Sequence, residues 1–254
     1  MRNADWTTSV SVLDRVTAVF DAFGEHGEGL GVSEIARRAN LPKSTVSRIA
    51  TDLVGQRFLD RDGNKLYLGA RLFELGQTVE KPRKLREAAL PLMNDLRRAT
   101  GRSVDLAVLD QTDVVLVAVV RAGNPPKPLG RVGARRPAQA TAVGKAMLAF
   151  SANGVIEEVM RGGVDPRSPR TIGEPLELLR ELAEIRKTRI ATQRQECASG
   201  CASIASPVLG HGSVPLAAIS VSGSIEEIDA DRLGSYVRSA ALNLAQRIGA
   251  GGVG

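Results

Sequence analysis

Apolar residues recur at steps of three and four along the first quarter of the chain, the spacing of a helix with one buried face. The pattern predicts helices over residues 11–23, 33–39 and 42–56. Ser11 and Asp14 have the spacing of a capping box at the start of the first helix. Ser33 is a suitable cap for the second, and Pro42 suits the opening of the third, where its missing N–H does no harm. Asn40 and Leu41 form the turn between the last two.

A hairpin is predicted directly after the third helix. Two strand-like runs, 58–60 and 65–68, flank Asp62-Gly63-Asn64, a strong turn signal. Helix, tight turn, helix and hairpin in this order predict a winged helix-turn-helix. The first helix packs behind the other two in this interpretation.

The third helix has an outer face suited to DNA. Val46, Ile49 and Leu53 fall on one side, so the other side is left polar and can enter a major groove. No acid occurs between Arg37 and Arg48. The predicted DNA-binding residues are Arg37, Arg38, Lys43, Ser44, Thr45, Ser47, Arg48, Thr51 and, in the hairpin, Lys65. The alternative is an ordinary solvated face, or a winged helix that docks protein.

The remainder of the chain alternates between strand and helix patterns. Strands are predicted at 103–109, 114–120, 202–209 and 216–222, with loops at 122–137 and 161–173. Helices are predicted at 71–80, 85–100, 141–150, 155–160, 174–187 and 225–248. Thr141 is a suitable cap for the helix that it precedes, and Pro82 is expected to end the first helix of this series. An antiparallel sheet with helices packed on it, an α+β fold, is the natural assembly.

These elements divide the chain into two domains and a connection. The prediction is a flexible arm at 1–9, a winged helix-turn-helix at 10–70, a linker helix at 71–83, a sheet domain at 84–248 and a disordered tail at 249–254. The chain has 254 residues, enough for two modest domains with their own cores.

Charge changes this interpretation only slightly. The net charge is +6, yet residues 1–80 carry 10 Lys or Arg and 11 Asp or Glu, whereas residues 81–150 carry 13 and 5. The basic excess therefore lies behind the predicted DNA-binding helix, so the DNA argument depends on the local face of that helix. This basic excess is compatible with contacts to phosphates, with an anionic ligand or with a role in solubility, and the sequence does not distinguish among the three.

Several classes of protein are disfavoured by what the sequence lacks. There is no apolar run of the roughly 20 residues that cross a bilayer, and the first residues lack the apolar core of a signal peptide. Cys197 and Cys201 do not make a disulfide framework, and their spacing is not that of a zinc site. No nucleophile has an evident base, so we expect a cytoplasmic protein that is not an enzyme and needs no metal or cofactor.

Three segments resemble the IclR family of bacterial transcriptional regulators. They are SVLDRVTAVFDAF with GVSEIARRANLPKSTVSRIATDLVGQRFLDRDGNKLYLGARLFELG, then RVGARRPAQATAVGKAMLA, then ASPVLGHGSVPLAAISVSG. The resemblance implies a winged helix, a linker helix and a GAF-like effector-binding domain. It also implies homodimers or tetramers that read double-stranded operator DNA, repress or activate, and respond to small organic or aromatic acids.

The resemblance also implies where the effector binds. Ala142 and Val143 offer backbone N–H groups to a carboxylate at a helix start. Hydroxyls of Ser220 and Ser222 lie on one strand face and could donate to the same ligand. The alternative is that these serines pair only within the sheet and that the helix start is only capped. Gln193 and Gln195 stand where many relatives have an acid, and Ser203 stands where many have cysteine, so the effector is not fixed by the family. The alternative function is a ligand-binding GAF-like module or sensor whose winged helix docks protein instead of DNA.

Overall fold

The chain forms two compact units. The structure, a computed structural model, describes residues 11–24, 27–123, 130–162 and 175–250. The units are Met1–Glu80 and Lys81–Gly254. The predicted arm at 1–9 lies outside the described residues.

The first unit is a winged helix-turn-helix. Its elements are α1 (Val12–Asp21), α2 (Val32–Ala39), α3 (Lys43–Gly55), β1 (Leu59–Asp62), β2 (Lys65–Leu68) and α4 (Ala70–Gln77). The helices enclose one apolar cluster that includes Val19, Ile35 and Ile49, and Leu59 and Leu66 of the hairpin close it. The predicted helix-turn-helix and wing are confirmed.

The local signals explain where two of these helices begin. The Ser11 hydroxyl accepts a hydrogen bond from the Asp14 N–H, and the Asp14 carboxylate accepts one from the Ser11 N–H, so the capping box is confirmed. Ser33 is not a cap. Gly31 is the N-cap of α2, because the preceding residue, Leu30, is paired with Leu66 of β2 and the helix starts as soon as the chain leaves that bridge.

The turn between α2 and α3 depends on two residues that the sequence singles out. Asn40 ends α2 in the left-handed region, at φ 52°, which asparagine tolerates better than most residues. Pro42 is the N-cap of α3, so the helix proper begins at Lys43. The result is a tight connection that lets the two helices pack together.

Residues 71–83, predicted as a single linker helix, contain the end of one helix and the start of another. The first, α4, ends at Gln77, and the next helix, α5 (Glu80–Thr100), begins after Thr78 and Val79. The expectation that Pro82 ends a helix is wrong. Pro82 lies in the first turn of α5, where a missing N–H leaves no intrahelical acceptor unsatisfied.

The second unit is an antiparallel sheet with helices on both faces. After α5 its elements are β3 (Ser103–Asp110), β4 (Asp113–Val120), β5 (Arg135–Pro137), α6 (Ala142–Leu148), α7 (Asn153–Arg161), α8 (Pro175–Thr188), β6 (Ala191–Arg194), β7 (Cys201–Leu209), β8 (Pro215–Ser224) and α9 (Ala230–Ala250). The strand order is β5-β4-β3-β8-β7-β6. The predicted α+β fold is confirmed.

The two faces of the sheet carry separate cores because strand residues alternate between them. On one face Ile219 and Val221 of β8 pack against α5 and α9. On the other face Ala218 of β8 packs with α6 and α8. Ser220 and Ser222 share the face of Ala218, so the α6 side of the sheet is the polar side at this end of β8.

Three details of the second unit differ from expectation. Residues 135–137 and 191–194 are short edge strands, β5 and β6, that have no apolar alternation to reveal them. The last helix begins at Ala230 instead of near Ile225, since the Asp229 carboxylate caps it by accepting from the backbone N–H groups of Asp231 and Arg232. It continues to Ala250, so residues 249–250 of the predicted tail are helical, and residues 251–254 lie outside the described residues.

Two glycines test the packing of the second unit. A Cβ on Gly144 of α6 would clash with the carbonyl oxygen of Ala138, whereas a Cβ on Gly154 of α7 meets nothing. We expect Gly144→Ala to destabilise the protein by about 1–3 kcal/mol, the usual cost of overpacking. Gly154→Ala, the matched control, is expected to be neutral or to stabilise by up to about 1 kcal/mol, because alanine favours helix more than glycine does. Urea denaturation followed by circular dichroism compares them, and equal midpoints would contradict the packing described.

Candidate DNA-binding surface and effector site

The outer face of α3 is open to solvent. Its inner face is buried through Val46, Ile49, Ala50 and Leu53. Of the α3 residues predicted to bind DNA, Thr45 is half-buried and the others are exposed: Lys43, Ser44, Ser47, Arg48 and Thr51. Helical geometry turns Ser44, Arg48 and Thr51 directly away from the core, and Ser47 points to one side of them.

Two of these side chains are partly engaged within their own unit. The Thr51 hydroxyl donates to the Ser47 carbonyl at 3.0 Å, which leaves its oxygen only as an acceptor. Arg48 lines a groove of about 530 Å³ between α1 and α3, together with Val12 and Val16. Ser44 and Thr51 are therefore at the centre of the open face, with Arg48 on its α1 side and Ser47 on the other.

The arginine pair of α2 is bound by an acid that the sequence interpretation left out. The Glu34 carboxylate accepts from Arg37 at 2.9 and 2.7 Å and from Arg38 at 2.6 Å. Those hydrogen bonds, first from Arg37 and then from Arg38, lower the pKa of Glu34 to about 2. Arg38 also donates to the carbonyl of Ala22 at 3.2 Å, which ties α2 to the end of α1. The pair presents less free positive charge than two isolated arginines.

Lys65 stands on the wing. It is exposed at the first position of β2 and pairs in register with Asp62 across a two-residue turn. It therefore belongs to the same unit as α3 but to a separate element, as expected of a wing residue beside the recognition helix.

The second unit carries polar side chains on the α6 side of its sheet. We call this group the polar floor. Its members are Ser103, Asp105, Arg121, Gln193, Ser203, Ser220 and Ser222. The strand register aligns Gln193 with Ser203, Ser203 with Ser222 and Ser222 with Ser103, so four of them form one row across the sheet.

The start of α6 lies over the same face. Ala142 and Val143 are buried in the cluster that includes Ala205 and Ala218 of the sheet. The Thr141 hydroxyl accepts from the Gly144 N–H at 3.1 Å, so the predicted cap is present. The residues predicted for the effector site thus belong to one face of the sheet or to the helix that covers it: Ala142, Val143, Gln193, Ser203, Ser220 and Ser222.

Two charged members of the floor were not predicted. Asp105 accepts a hydrogen bond from the Ser222 hydroxyl at 3.0 Å, and its other oxygen lies 3.7 Å from the Arg121 guanidinium. Burial raises the pKa of Asp105, and Arg121 and then Ser222 oppose that rise. The position of Asp105 between Val104 and Leu106 is the sequence signal that was available, because strand alternation turns it away from the apolar face.

Gln193 is engaged by its own loop. Its side-chain oxygen accepts from the Glu196 N–H at 3.0 Å. Glu196 in turn binds the buried ammonium of Lys145, with both oxygens at 2.9 Å, and Glu181 of α8 lies 2.7 Å from the same ammonium. Desolvation raises the pKa of Glu196, although Lys145 opposes the effect. This triad fastens α6 to α8 and to the loop after β6.

No group of three or more His, Cys, Asp or Glu residues suited to a metal ion is found within the described residues. Among the same residues, no helix is long and apolar enough to cross a membrane. Cys197 is half-buried and Cys201 buried, and they form no disulfide.

Comparisons with known proteins match both units. Residues 12–63 match the IclR helix-turn-helix domain, and residues 77–250 match the family described as bacterial transcriptional regulator IclR C-terminal. The transcriptional repressor IclR of Escherichia coli (strain K12) is 29% identical over 91% of this chain and 86% of its own length. The HTH-type transcriptional regulator KdgR of the same organism is 30% identical over 97% and 95%.

Solved structures agree with these matches. An IclR homolog from Microbacterium hydrocarbonoxydans, crystallised in complex with 4-hydroxybenzoate, has a TM-score of 0.85 at 29% identity, over 94% of this chain and 100% of that one. The Thermotoga maritima IclR gives 0.73 at 26% identity, over 93% and 98%.

A winged helix-turn-helix followed by a sheet domain with a polar face defines a DNA-binding transcriptional regulator that has a C-terminal effector-binding domain. The family matches cover most of the sequence. The chain belongs to the IclR family of bacterial transcriptional regulators.

Asp105 should make stability depend on pH. Because burial raises its pKa above the ordinary value of 3.8, the folded protein loses stability as pH rises through the folded pKa, and that loss is absent below 3.8. We expect the melting temperature of Asp105→Asn, measured relative to that of the wild type, to increase as pH rises from about 4 to about 8. Asp110→Asn, an exposed acid of the same strand, is the control and should show no such gain. A constant difference between Asp105→Asn and the wild type across this range would contradict the assignment.

Proposed function

We propose that this regulator reads its operator with the outer face of α3. The proposal rests on one observation: the polar side of α3 is exposed to solvent, and its apolar side is buried in the core. Ser44, Ser47 and Arg48 would meet base edges and phosphates in the major groove. Thr45, which is half-buried, lies at the margin of that contact, and Thr51 lies one turn along the helix from Ser47.

The start of α3 adds an electrostatic reason. No side chain caps this helix, so its first backbone N–H groups are available to a phosphate, where the helix dipole favours negative charge. Lys43 stands at this end and Lys65 on the wing, both as phosphate contacts. Arg37 and Arg38 contribute less, since Glu34 neutralises part of their charge.

The effector of the second unit is proposed to be an organic acid. Support comes from the relative that was crystallised with 4-hydroxybenzoate and from the buried hydroxyl of Ser220 facing the α6 side. The backbone N–H groups of Ala142 and Val143, in the first turn of α6, would bind the carboxylate. Ser203 and Ser222 would complete the wall of the effector site. Gln193 would hold the loop after β6 in position beside it.

Effector binding would control DNA binding by selecting between arrangements of the chain. A ligand shifts such an equilibrium only by as much as its affinity differs between the arrangements. The break at Thr78 and Val79, between α4 and α5, is the segment proposed to differ. The role is regulatory and not catalytic, as in the relatives, and it is exercised in the cytoplasm, where bacterial operators lie.

A homodimer, or a tetramer built from dimers, is the proposed assembly. No residue of α4 is buried, and Phe73, Leu75 and Val79 in and just after it are 70%, 48% and 53% exposed. Apolar side chains exposed on two sides of one helix favour an element that packs against a partner. A two-fold pair would align two copies of α3 with two half-sites one helical turn apart.

The DNA-binding face predicts a specific loss. Arg48→Ala should weaken operator binding by about 1–3 kcal/mol, and Lys43→Ala should also reduce the salt dependence, because a phosphate contact is lost. Lys187→Ala removes an exposed cation from the second unit and is the control. Fluorescence anisotropy with an operator selected from random DNA measures all three. Affinity losses of the same size for Lys187 and for the α3 variants would mean that only net charge matters.

If the effector binds on the α6 face of the sheet, only substitutions on that face should weaken effector binding. Ser220→Ala should weaken binding of an organic-acid effector about 2- to 12-fold, the value of one hydrogen bond, while DNA affinity without effector is unchanged. Ser206→Ala is the matched control, since this buried serine of β7 lies on the opposite face with Ile204 and Val208. A thermal-shift screen of organic acids supplies the ligand. Equal losses in both variants would remove Ser220 from the site.

The exposed apolar residues predict an effect on assembly. Phe73→Glu should lower the mass measured by sedimentation equilibrium, because a charge cannot be buried unpaired at an interface. Leu176→Glu alters a leucine that is 68% exposed in the first turns of α8 and should leave the mass unchanged. An unaltered mass in Phe73→Glu would show that α4 is not part of the interface.

A further inference from the structure

The polar floor contains a buried ion pair whose facing atoms are both unsatisfied. Asp105 is 7% exposed. Its Oδ2 accepts from Ser222, but its Oδ1 has no hydrogen-bond partner among the described residues, and neither has Nη1 of Arg121. These two atoms face each other at 3.7 Å, which is beyond hydrogen-bond length. Buried polar atoms are nearly always hydrogen-bonded, so two adjacent exceptions require an explanation.

The neighbours of the pair do not supply the missing bonds. Ser222 already donates to the other oxygen of Asp105. Neither the Ser103 hydroxyl, which accepts from the Ala122 N–H at 3.0 Å, nor Ser220, the register partner of Asp105, is hydrogen-bonded to Oδ1. On the opposite face of β3, Val104 and Leu106 are fully buried in the apolar core. What remains for Asp105 Oδ1 and Arg121 Nη1 is a group that reaches them from the α6 side.

The chemistry of such a group follows from the pair. It must donate a hydrogen bond to a carboxylate oxygen and accept one from a guanidinium nitrogen. A single oxygen at about 2.7–2.9 Å from each atom fits a separation of 3.7 Å. The group must also be neutral, because Asp105 and Arg121 already balance each other and a further buried charge would be uncompensated. A hydroxyl meets all three conditions, and on a ligand it would take the place that a water molecule fills when no ligand is bound.

We infer that the effector of this regulator is a hydroxylated organic acid whose hydroxyl bridges Asp105 Oδ1 and Arg121 Nη1. The inference rests on the proposed effector function and narrows it from acids in general to hydroxy acids. Asp105 and Arg121 are thereby specificity-determining residues. A site that hydrogen-bonds a ligand hydroxyl strongly rejects the analogue without it, since its own polar groups are then left unpaired.

The first test uses the full-length wild-type protein and pairs of acids that differ by one hydroxyl. The pairs are benzoate and 4-hydroxybenzoate, phenylacetate and 4-hydroxyphenylacetate, and propionate and lactate. Isothermal titration calorimetry measures each affinity. At least one hydroxylated acid should bind about tenfold or more tightly than its partner, as expected for hydrogen bonds to charged groups. If every acid that binds does so as tightly as its hydroxylated partner, the inference is overturned.

The second test identifies the residues responsible. Asp105→Asn should reduce the preference for the hydroxylated acid to about threefold or less, since a neutral amide accepts less strongly than a carboxylate. Arg121→Gln gives an independent measurement if Asp105→Asn folds poorly. Asp110→Asn, in the same strand but paired with Arg135, is the control and should keep the full preference. Tighter binding of both members of a pair to Asp105→Asn would overturn the inference, because it would place the effector carboxylate on Arg121.

The outcomes separate this inference from the proposed function. If acids without a hydroxyl bind and release the operator as well as their partners do, effector control stands and only the bridging hydroxyl is refuted. If none of the six acids binds or alters operator affinity, the organic-acid effector itself fails, and the hydroxyl assignment fails with it.

Discussion

Burial of one side of α3 is the constraint on which the regulator depends. Val46 and Ala50 are fully buried and Ile49 and Leu53 nearly so, against α1, α2 and the hairpin. Burying a valine, leucine or isoleucine side chain contributes about 1.5–3 kcal/mol. The helix therefore cannot rotate about its axis without exposing that stripe. Its polar side is held outward by the same burial that folds the unit, and the DNA-binding surface needs no separate device to orient it.

The same constraint acts in the second unit, where successive side chains of a strand alternate between the two faces of the sheet. Ile219 and Val221 belong to the core under α5 and α9, so Ser220 and Ser222 must face α6. Polar groups buried there cost stability unless they are paired. The floor nevertheless keeps a buried ion pair whose facing atoms have no hydrogen-bond partner within the part of the chain that the structure describes. Local violations of the packing rules are expected at binding sites, and this one lies where the family resemblance puts the effector.

The parts of the fold that follow from periodicity could be predicted, and the parts that follow from tertiary contacts could not. The three helices, the wing, the four long strands and the Ser11 and Thr141 caps each have a local signal. The start of α2 does not, because it is set by the pairing of Leu30 with Leu66 across 36 residues. Strands β5 and β6 are short edge strands stabilised by their neighbours, and the alternating pattern that reveals a half-buried strand is missing from both.

The candidate sites show the same division. The α3 face follows from helical spacing, and so does the pairing of Glu34 with Arg37 and Arg38, which lie three and four residues after it. Asp105 had a signal in its position between two apolar residues. Arg121 lies just past the end of β4, and only the register of the sheet brings it to Asp105. The sequence carries no signal that Lys145 is buried, since a lysine in a helix is usually exposed to solvent.

The most direct measurement maps the position of α3 on DNA. In a Cys197→Ser, Cys201→Ser background, Ser47→Cys carries an iron chelate that cleaves nearby DNA backbone, and the protein is bound to an operator selected from random sequence. The account predicts cleavage within the operator at two positions about one helical turn apart, from two copies of α3 in adjacent major grooves. Bound DNA that is not cleaved from Ser47→Cys, but is cleaved when the same chelate is attached through Leu176→Cys in the second unit, would contradict it.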